Sequence, residues 1–505
     1  MNPRILILFP NTGSDGVIPL AVGILSTIAK DAGCIVRYFE STFYNKGNTA
    51  TEDRESTGEF KTVKGRKKSE YPPIERLYVD FQGVLESFRP QVLAVHANSL
   101  EWELFKEIMA HVSLPSPAPL VIVGGVHASV DSESVMNEPF VDAVCLGEGE
   151  DAWADFVCTL RDGGDISVIE GFWIRTKNVV RKNPKRPLIS AERLWDIPVD
   201  YSLFDERHLF KPYDGQMRRR GLIEYSRGCP FSCHYCVNSA LKESFKGLGK
   251  FFRVRPFDNF QEGVRQLKSL GAEILQLQDE CFFSNKITDI EKFCDWYAKE
   301  ISLPLILQTR PESVTINNVG LVAKMGLPVQ ISLGVESGSP RLLTEICNRH
   351  MSVACIREAF NIIHSFGLRS SAYCMIGFPT ETRQEVFQTI QLIREIQPTI
   401  AIMSVFYPFL GVALRQLCID RGFINGDEPA RTFTGDTILR DQPMSPAEIK
   451  NIRRCFRLYT KLPEKYLAQV ACCERDFEHN QQLFAELVER SWSEEALEYC
   501  SKDDN

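Results

Sequence analysis

No long apolar run occurs in this 505-residue chain. Nothing approaches the roughly 20 consecutive apolar residues that span a bilayer, and the short strand-like start through Phe9 lacks the form of a secretory signal. A surplus of positive charge is missing as well. With 58 Lys and Arg against 66 Asp and Glu, the net charge is −8. That balance gives no footprint for nucleic acid, so a small molecule or a protein is the expected partner. The basic run at residues 61–68 reads as a solvated loop. Sixteen scattered cysteines point to a reducing cytosol, where thiols stay free and metal sites survive.

A fourth cysteine is missing at the most informative stretch. Cys229, Cys233 and Cys236 follow the apolar run 221–225 as C-x3-C-x2-C. A four-iron cluster takes four thiolates, so three leave one iron open to another ligand. A zinc knuckle is the competing reading, but no His or Cys pair at zinc-like spacing follows. The C-x3-C-x2-C pattern, with Tyr235 before its last Cys, resembles the radical S-adenosylmethionine (SAM) superfamily. That resemblance implies a [4Fe-4S] cluster whose open iron chelates SAM and cleaves it to a 5′-deoxyadenosyl radical. It also implies an electron donor such as flavodoxin or ferredoxin.

Upstream, residues 4–10, 19–33 and 34–39 read as strand, helix and strand, one βαβ unit of a parallel sheet. Residues 45–70 are polar and aperiodic, as an inserted loop would be, and helical spacing returns at 74–88. Further strands are expected at 91–95, 120–123 and 142–146, with ligand crevices at their carboxyl ends. A hairpin at 171–175 and 179–181 is expected within a connector.

Pro19-Leu20, Val123-Gly-Gly-Val-His127 and Leu146-Gly-Glu-Gly-Glu150 resemble the cobalamin-binding domain that precedes the barrel in one class of radical SAM enzymes. The resemblance implies contacts to cobalamin from Pro19, Leu20, His96, Ser99, Trp102, Gly124, Gly125, His127, Gly147, Glu148 and Gly149. The small residues among them let the backbone approach a large flat cofactor. The cobalt-ligating Asp-x-His-x-x-Gly motif of other cobalamin enzymes is absent, which leaves His96, Trp102 and His127 as candidates to cover the lower face. A flavodoxin-like domain without a cofactor is the alternative.

Beyond the cysteines, strands at 272–278, 305–308, 329–333, 370–376 and 399–406 each end in polar residues, where barrel enzymes carry their chemistry. The order Asp279-Glu280, Thr309-Arg310, Gly334-Val-Glu-Ser-Gly338 and Gly377-Phe-Pro379 is similar to the barrel of the same class. SAM needs carboxylates for its ammonium, a cation for its carboxylate and an apolar surface for adenine. Asp279, Glu280 and Glu336 are the first, Arg310 the second and Tyr235 part of the third. Cys281, just past a strand end, is a candidate substrate contact, with a buried structural thiol as its other reading.

The expected fold is α/β: a doubly wound, flavodoxin- or Rossmann-like cobalamin-binding domain (1–160), a connector (161–205), a partial (β/α)6 radical SAM barrel (206–410) and a helical C-terminal region (411–505). The expected activity is cobalamin-dependent methylation of an unactivated carbon in a small molecule. A radical rearrangement, cyclisation or oxidation without methyl transfer stays open. So does a cobalamin sensor with a vestigial barrel, although the intact cysteine trio speaks against it. Methylthiolation of transfer RNA is disfavoured, because the N-terminal segment has no second cysteine trio.

Overall fold

A computed structural model describes residues 2–493 except 15, 48, 64–69 and 178. Most of the basic run, and the helical pattern expected after residue 493, lie outside the described residues. The first sheet contains β1 (Arg4–Phe9), β2 (Ile35–Glu40), β3 (Val92–His96), β4 (Leu120–Gly124), β5 (Ala143–Cys145), β6 (Phe172–Thr176) and β7 (Val179–Lys182), in the order β2-β1-β3-β4-β5-β6-β7. It is parallel through β5. Alternate residues of β1 enter two different cores. Ile5 and Ile7 pack with the helices Leu20–Asp31 and Glu150–Arg161, while Leu6 and Leu8 pack with Ile74–Phe88 and Ser99–His111. Helices on both faces make the sheet doubly wound, with the strand order reversing between β1 and β3. The hairpin expected in the connector instead extends this sheet, β6 pairing antiparallel with β5.

The second sheet runs β16-β15-β14-β13-β12-β9-β8. Its strands are β8 (Phe210–Tyr213), β9 (Gln216–Ile223), β12 (Ile274–Leu277), β13 (Leu305–Thr309), β14 (Val329–Glu336), β15 (Arg369–Ile376) and β16 (Ile400–Val405). Two short strands, β10 (Ser226–Arg227) and β11 (Arg253–Val254), form a separate antiparallel pair. Six strands are parallel, as expected of the half-barrel, and β8 adds an antiparallel edge. On β14, Val329, Ile331, Leu333 and Val335 pack into the apolar core. Period-2 alternation therefore turns Gln330, Ser332, Gly334 and Glu336 inward.

The stretch 45–70 is more than a loop. Thr49 and Glu52 form a capping box on the helix Ala50–Ser56, and the residues after it reach the barrel's open edge. There Glu59 accepts a hydrogen bond from Met403 N at 2.8 Å, and Arg453 Nε donates to Met403 O at 3.2 Å. This side-chain pair serves the backbone groups of edge strand β16 as a neighbouring strand would. Arg453 lies on the helix Pro446–Lys461, which Ser445 caps by accepting from Glu448 N.

Candidate functional site

The three thiols occupy the loop between β10 and the helix Val237–Ser244. Other parts of the chain pin that loop. His234 N donates to Cys347 O at 3.1 Å, Leu414 N to His234 O at 3.1 Å, and Asn348 Nδ2 to Ser232 O at 2.8 Å. Arg310 lies over the Phe231 ring at 3.8 Å and donates from Nη1 to Cys233 Sγ at 3.1 Å. Burial pushes Cys229 up to about 11 and Cys236 up to about 12, with Cys229 also feeling Cys233, and Cys236 feeling both Cys233 and Cys229. Among the described residues, no three His, Cys, Asp or Glu converge as donors around a single ion.

The three carboxylates assigned to the SAM ammonium differ in availability. Asp279 is fully buried and accepts from Tyr225 N at 2.9 Å, from Ser226 N at 2.6 Å and from the Ser226 hydroxyl. It anchors the strand-to-cluster loop and has no face left for a ligand. Burial pushes its carboxyl up to about 7 against these donors. Glu336 accepts from Tyr235 Oη and Arg349 Nη1, both at 2.9 Å. It sits at φ +64° where the pairing of β14 with β15 shifts. Glu280 alone opens onto free space. It is exposed yet crowded by protein, and burial raises its carboxyl despite a hydrogen bond to Asn238. Cys281 is fully buried against Thr309 and Ser313, with Sγ 3.2 and 3.5 Å from their hydroxyl oxygens. That burial fits the structural-thiol reading of Cys281.

Glu280 belongs to the wall of a cavity of about 400 Å³ that both sheets border. The first-sheet side is largely apolar, with Leu20, Val22, Leu25 and Ile122 beside His96. The facing side holds Arg227, Gly228, Asn238, Phe245 and Arg253. Four carboxylates, Glu148, Glu150, Glu224 and Glu280, line it against two arginines. Glu148 is clasped by Arg253 at 2.8 and 2.7 Å and meets Arg227 at 3.2 Å. These ionic partners were not anticipated. The available signals were Arg227 two residues before Cys229 and Glu150 two after Glu148.

The other cobalamin candidates divide by position. His96 lines the cavity, and burial lowers its pKa to about 4, so it is neutral. Trp102 and His127 stack at 5.4 Å beneath the strand ends, with Ser99 Oγ 3.1 Å from His127 Nδ1, away from the cavity wall. Pro19 starts the helix whose first residue, Leu20, reaches the wall. A Cβ on Gly125 would lie 2.7 Å from Ala97 O, and one on Gly147 2.2 Å from the Phe245 ring. Packing within the protein therefore requires those two glycines. Gly124 and Gly149 have room, their nearest neighbours being 3.6 and 3.7 Å away.

Residues 223–393 match the model of the Radical SAM superfamily. The chain is 25% identical over 408 residues to an uncharacterized methyltransferase of Pyrococcus horikoshii, covering 80% of this chain and 84% of that protein. It is 23% identical over 307 residues to the anaerobic magnesium-protoporphyrin IX monomethyl ester cyclase of Rubrivivax gelatinosus, covering 58% of this chain and 52% of that one. Its fold is similar, with a TM-score of 0.61 at 16% identity, to the radical S-adenosylmethionine methyltransferase TsrM from Kitasatospora setae with cobalamin and [4Fe-4S] cluster bound, over 83% of this chain and 75% of that one. Residues 223–393 thus carry a radical SAM domain, and the fold of the chain is that of a doubly wound domain set before a half-barrel.

Proposed function

We propose that this protein is a cobalamin-dependent radical SAM enzyme that methylates an unactivated carbon of a small molecule. The observation that supports this reading is the shared cavity bordered by the first sheet's strand ends and by Arg227, Gly228 and Asn238, which flank the three cysteines in the chain. A methyl carrier and a radical generator can serve one substrate only from a common space. When bound, the cluster and SAM supply a carbon radical, and cobalamin supplies a methyl group.

The residues divide the remaining work. Cys229, Cys233 and Cys236 hold the cluster, and Arg310, with Nη1 3.1 Å from Cys233 Sγ, positions that side chain. Glu280 receives the SAM ammonium, and the excess of carboxylates over arginines around the cavity suits a ligand carrying a sulfonium and an ammonium. Leu20, Val22, Leu25 and Ile122 form an apolar slot for the flat base of a nucleotide tail. Neutral His96, on the cavity wall, would face cobalamin bound there. An external flavodoxin or ferredoxin supplies the electron.

Similarity to the cyclase keeps a second reading, oxidative or rearranging chemistry without methyl transfer. Anaerobic reconstitution followed by mass spectrometry of the SAM products separates the two. S-adenosylhomocysteine together with 5′-deoxyadenosine supports methylation. 5′-Deoxyadenosine alone, with no methylated product, overturns it in favour of the second reading.

A further inference from the structure

Arg227 stands between the two halves of the cavity. Two residues before Cys229, it pairs across β10 and β11 with Arg253. Its guanidinium then crosses to the first sheet, with Nη1 3.2 Å from Glu148 Oε1 and 2.8 Å from Glu150 Oε1, while Nε lies 3.2 Å from Glu224 Oε2. Glu148 also accepts from Ile189 N at 2.8 Å, and Trp195 Nε1 donates to Glu224 at 2.7 Å. The charged side chains around Arg227 are at most 20% exposed.

No slack separates this network from the cluster loop. Gly228 has φ +85°, and a Cβ there would lie 2.2 Å from Phe251 O, so it seats Cys229 against a fixed backbone. Removing one member of a buried ionic network leaves its partners uncompensated. The network therefore holds as a unit or rearranges as a unit. A loop that binds one cofactor and a loop that lines the site of another are joined through Arg227, which adds Glu150 and Glu224 to the Arg253–Glu148 pair.

We infer that Arg227 is a positioning residue that couples the two cofactor sites, so that cluster loading tightens cobalamin binding and cobalamin binding tightens the cluster in return. The inference rests on the proposed cobalamin site. Linkage makes the two effects equal in size.

Hydroxocobalamin is titrated into cluster-free and cluster-reconstituted full-length protein, as wild type, Arg227→Gln, Arg227→Lys and Glu150→Gln, with circular dichroism confirming the fold of each. Wild type is expected to bind at least about fivefold more tightly with the cluster present, the lower end of ordinary coupling. In Arg227→Gln the two affinities should agree within about twofold, with part of the difference restored in Arg227→Lys. Glu150→Gln weakens the same link from the opposite side and serves if the Arg227 variants do not fold. A purely structural role lowers both affinities equally and keeps their ratio, which overturns the coupling. Equal affinities in wild type overturn it too. If no form binds hydroxocobalamin, the cobalamin site itself is wrong and the inference falls with it.

Discussion

Strand β1 and strand β14 are both central, parallel and apolar, yet they differ in what their two faces meet. The two faces of β1 enter two cores, through Ile5 and Ile7 on one side and Leu6 and Leu8 on the other. Strand β14 buries Val329, Ile331 and Leu333 outward and turns Gln330, Ser332 and Glu336 inward. A sheet covered by helices on both faces keeps only its strand ends for ligands. A half-barrel keeps its strand ends and its inner face. In this molecule the first sheet's strand ends meet those of β9 and β12 at one cavity, and each side can be loaded or blocked separately.

The largest effect is expected on the barrel side. Replacing Cys229, Cys233 and Cys236 together by Ala should abolish the cluster's absorbance, the bound iron and all SAM cleavage. Full iron content in that variant would sink the cluster assignment.

On the first-sheet side, Gly149→Leu should exclude cobalamin while leaving the fold intact, because the new side chain has 3.7 Å of clearance at its Cβ and extends into the cavity. A loss of affinity of about tenfold or more, roughly 1.4 kcal/mol, is expected by equilibrium dialysis. Gly125→Leu makes the informative contrast. Its Cβ meets Ala97 O at 2.7 Å, so it should lower thermal stability as well as cobalamin uptake. Unaltered uptake by Gly149→Leu argues against the slot.

A smaller effect separates the carboxylates at the barrel mouth. A hydrogen bond to a charged group contributes about 1.5–3 kcal/mol, so Glu280→Gln should raise the Kd for SAM by about tenfold to a hundredfold at unchanged iron content. Asp279→Asn should instead impair cluster retention, because Asp279 holds the backbone of Tyr225 and Ser226. If Glu280→Gln binds SAM normally, the ammonium lies elsewhere.

Much of this organisation was legible in the sequence, for reasons that also explain the failures. Strands buried on one or two apolar faces announce themselves by composition, which is why β1, β3, β4 and the six parallel barrel strands fell where expected. Cysteine spacing is local, so a cluster loop can be proposed from residues 229–236 alone. Long-range polar partnerships leave no local mark. Nothing around Glu148 signals that Arg253, 105 residues away, clasps it, and nothing in the polar stretch after residue 45 signals that Glu59 serves an edge strand 344 residues on. Asp279 and Glu280 are neighbours of the same charge. Only the pleat, which turns one under the cluster loop and the other into the cavity, tells them apart.

The smallest effect concerns pH and sharpens the contrast between the two halves. Each half carries a buried titratable group at a strand end. His96 closes β3 with its pKa lowered to about 4 by burial, and Glu381, just beyond β15, is pushed up to about 8 by burial against hydrogen bonds from Gly377 N and Phe378 N. Unfolding restores their ordinary values of 6.5 and 4.5. Between pH 4 and 6.5 the unfolded chain binds more protons at His96 than the folded one, so stability falls as the pH drops through that window. Between pH 4.5 and 8 the folded chain binds more protons at Glu381, so stability falls as the pH rises. Other buried carboxyls titrate nearby, Glu101 and Asp279 among them, and subtracting a matched variant removes their contribution. The Tm of wild type minus that of Glu381→Gln should decrease by about a degree or more from pH 5 to pH 8.5. The corresponding difference for His96→Asn should decrease from pH 7 to pH 5. Two differences that stay flat, or that slope the same way, would show that these strand-end groups remain charged in the folded protein and that the two halves do not differ in this respect.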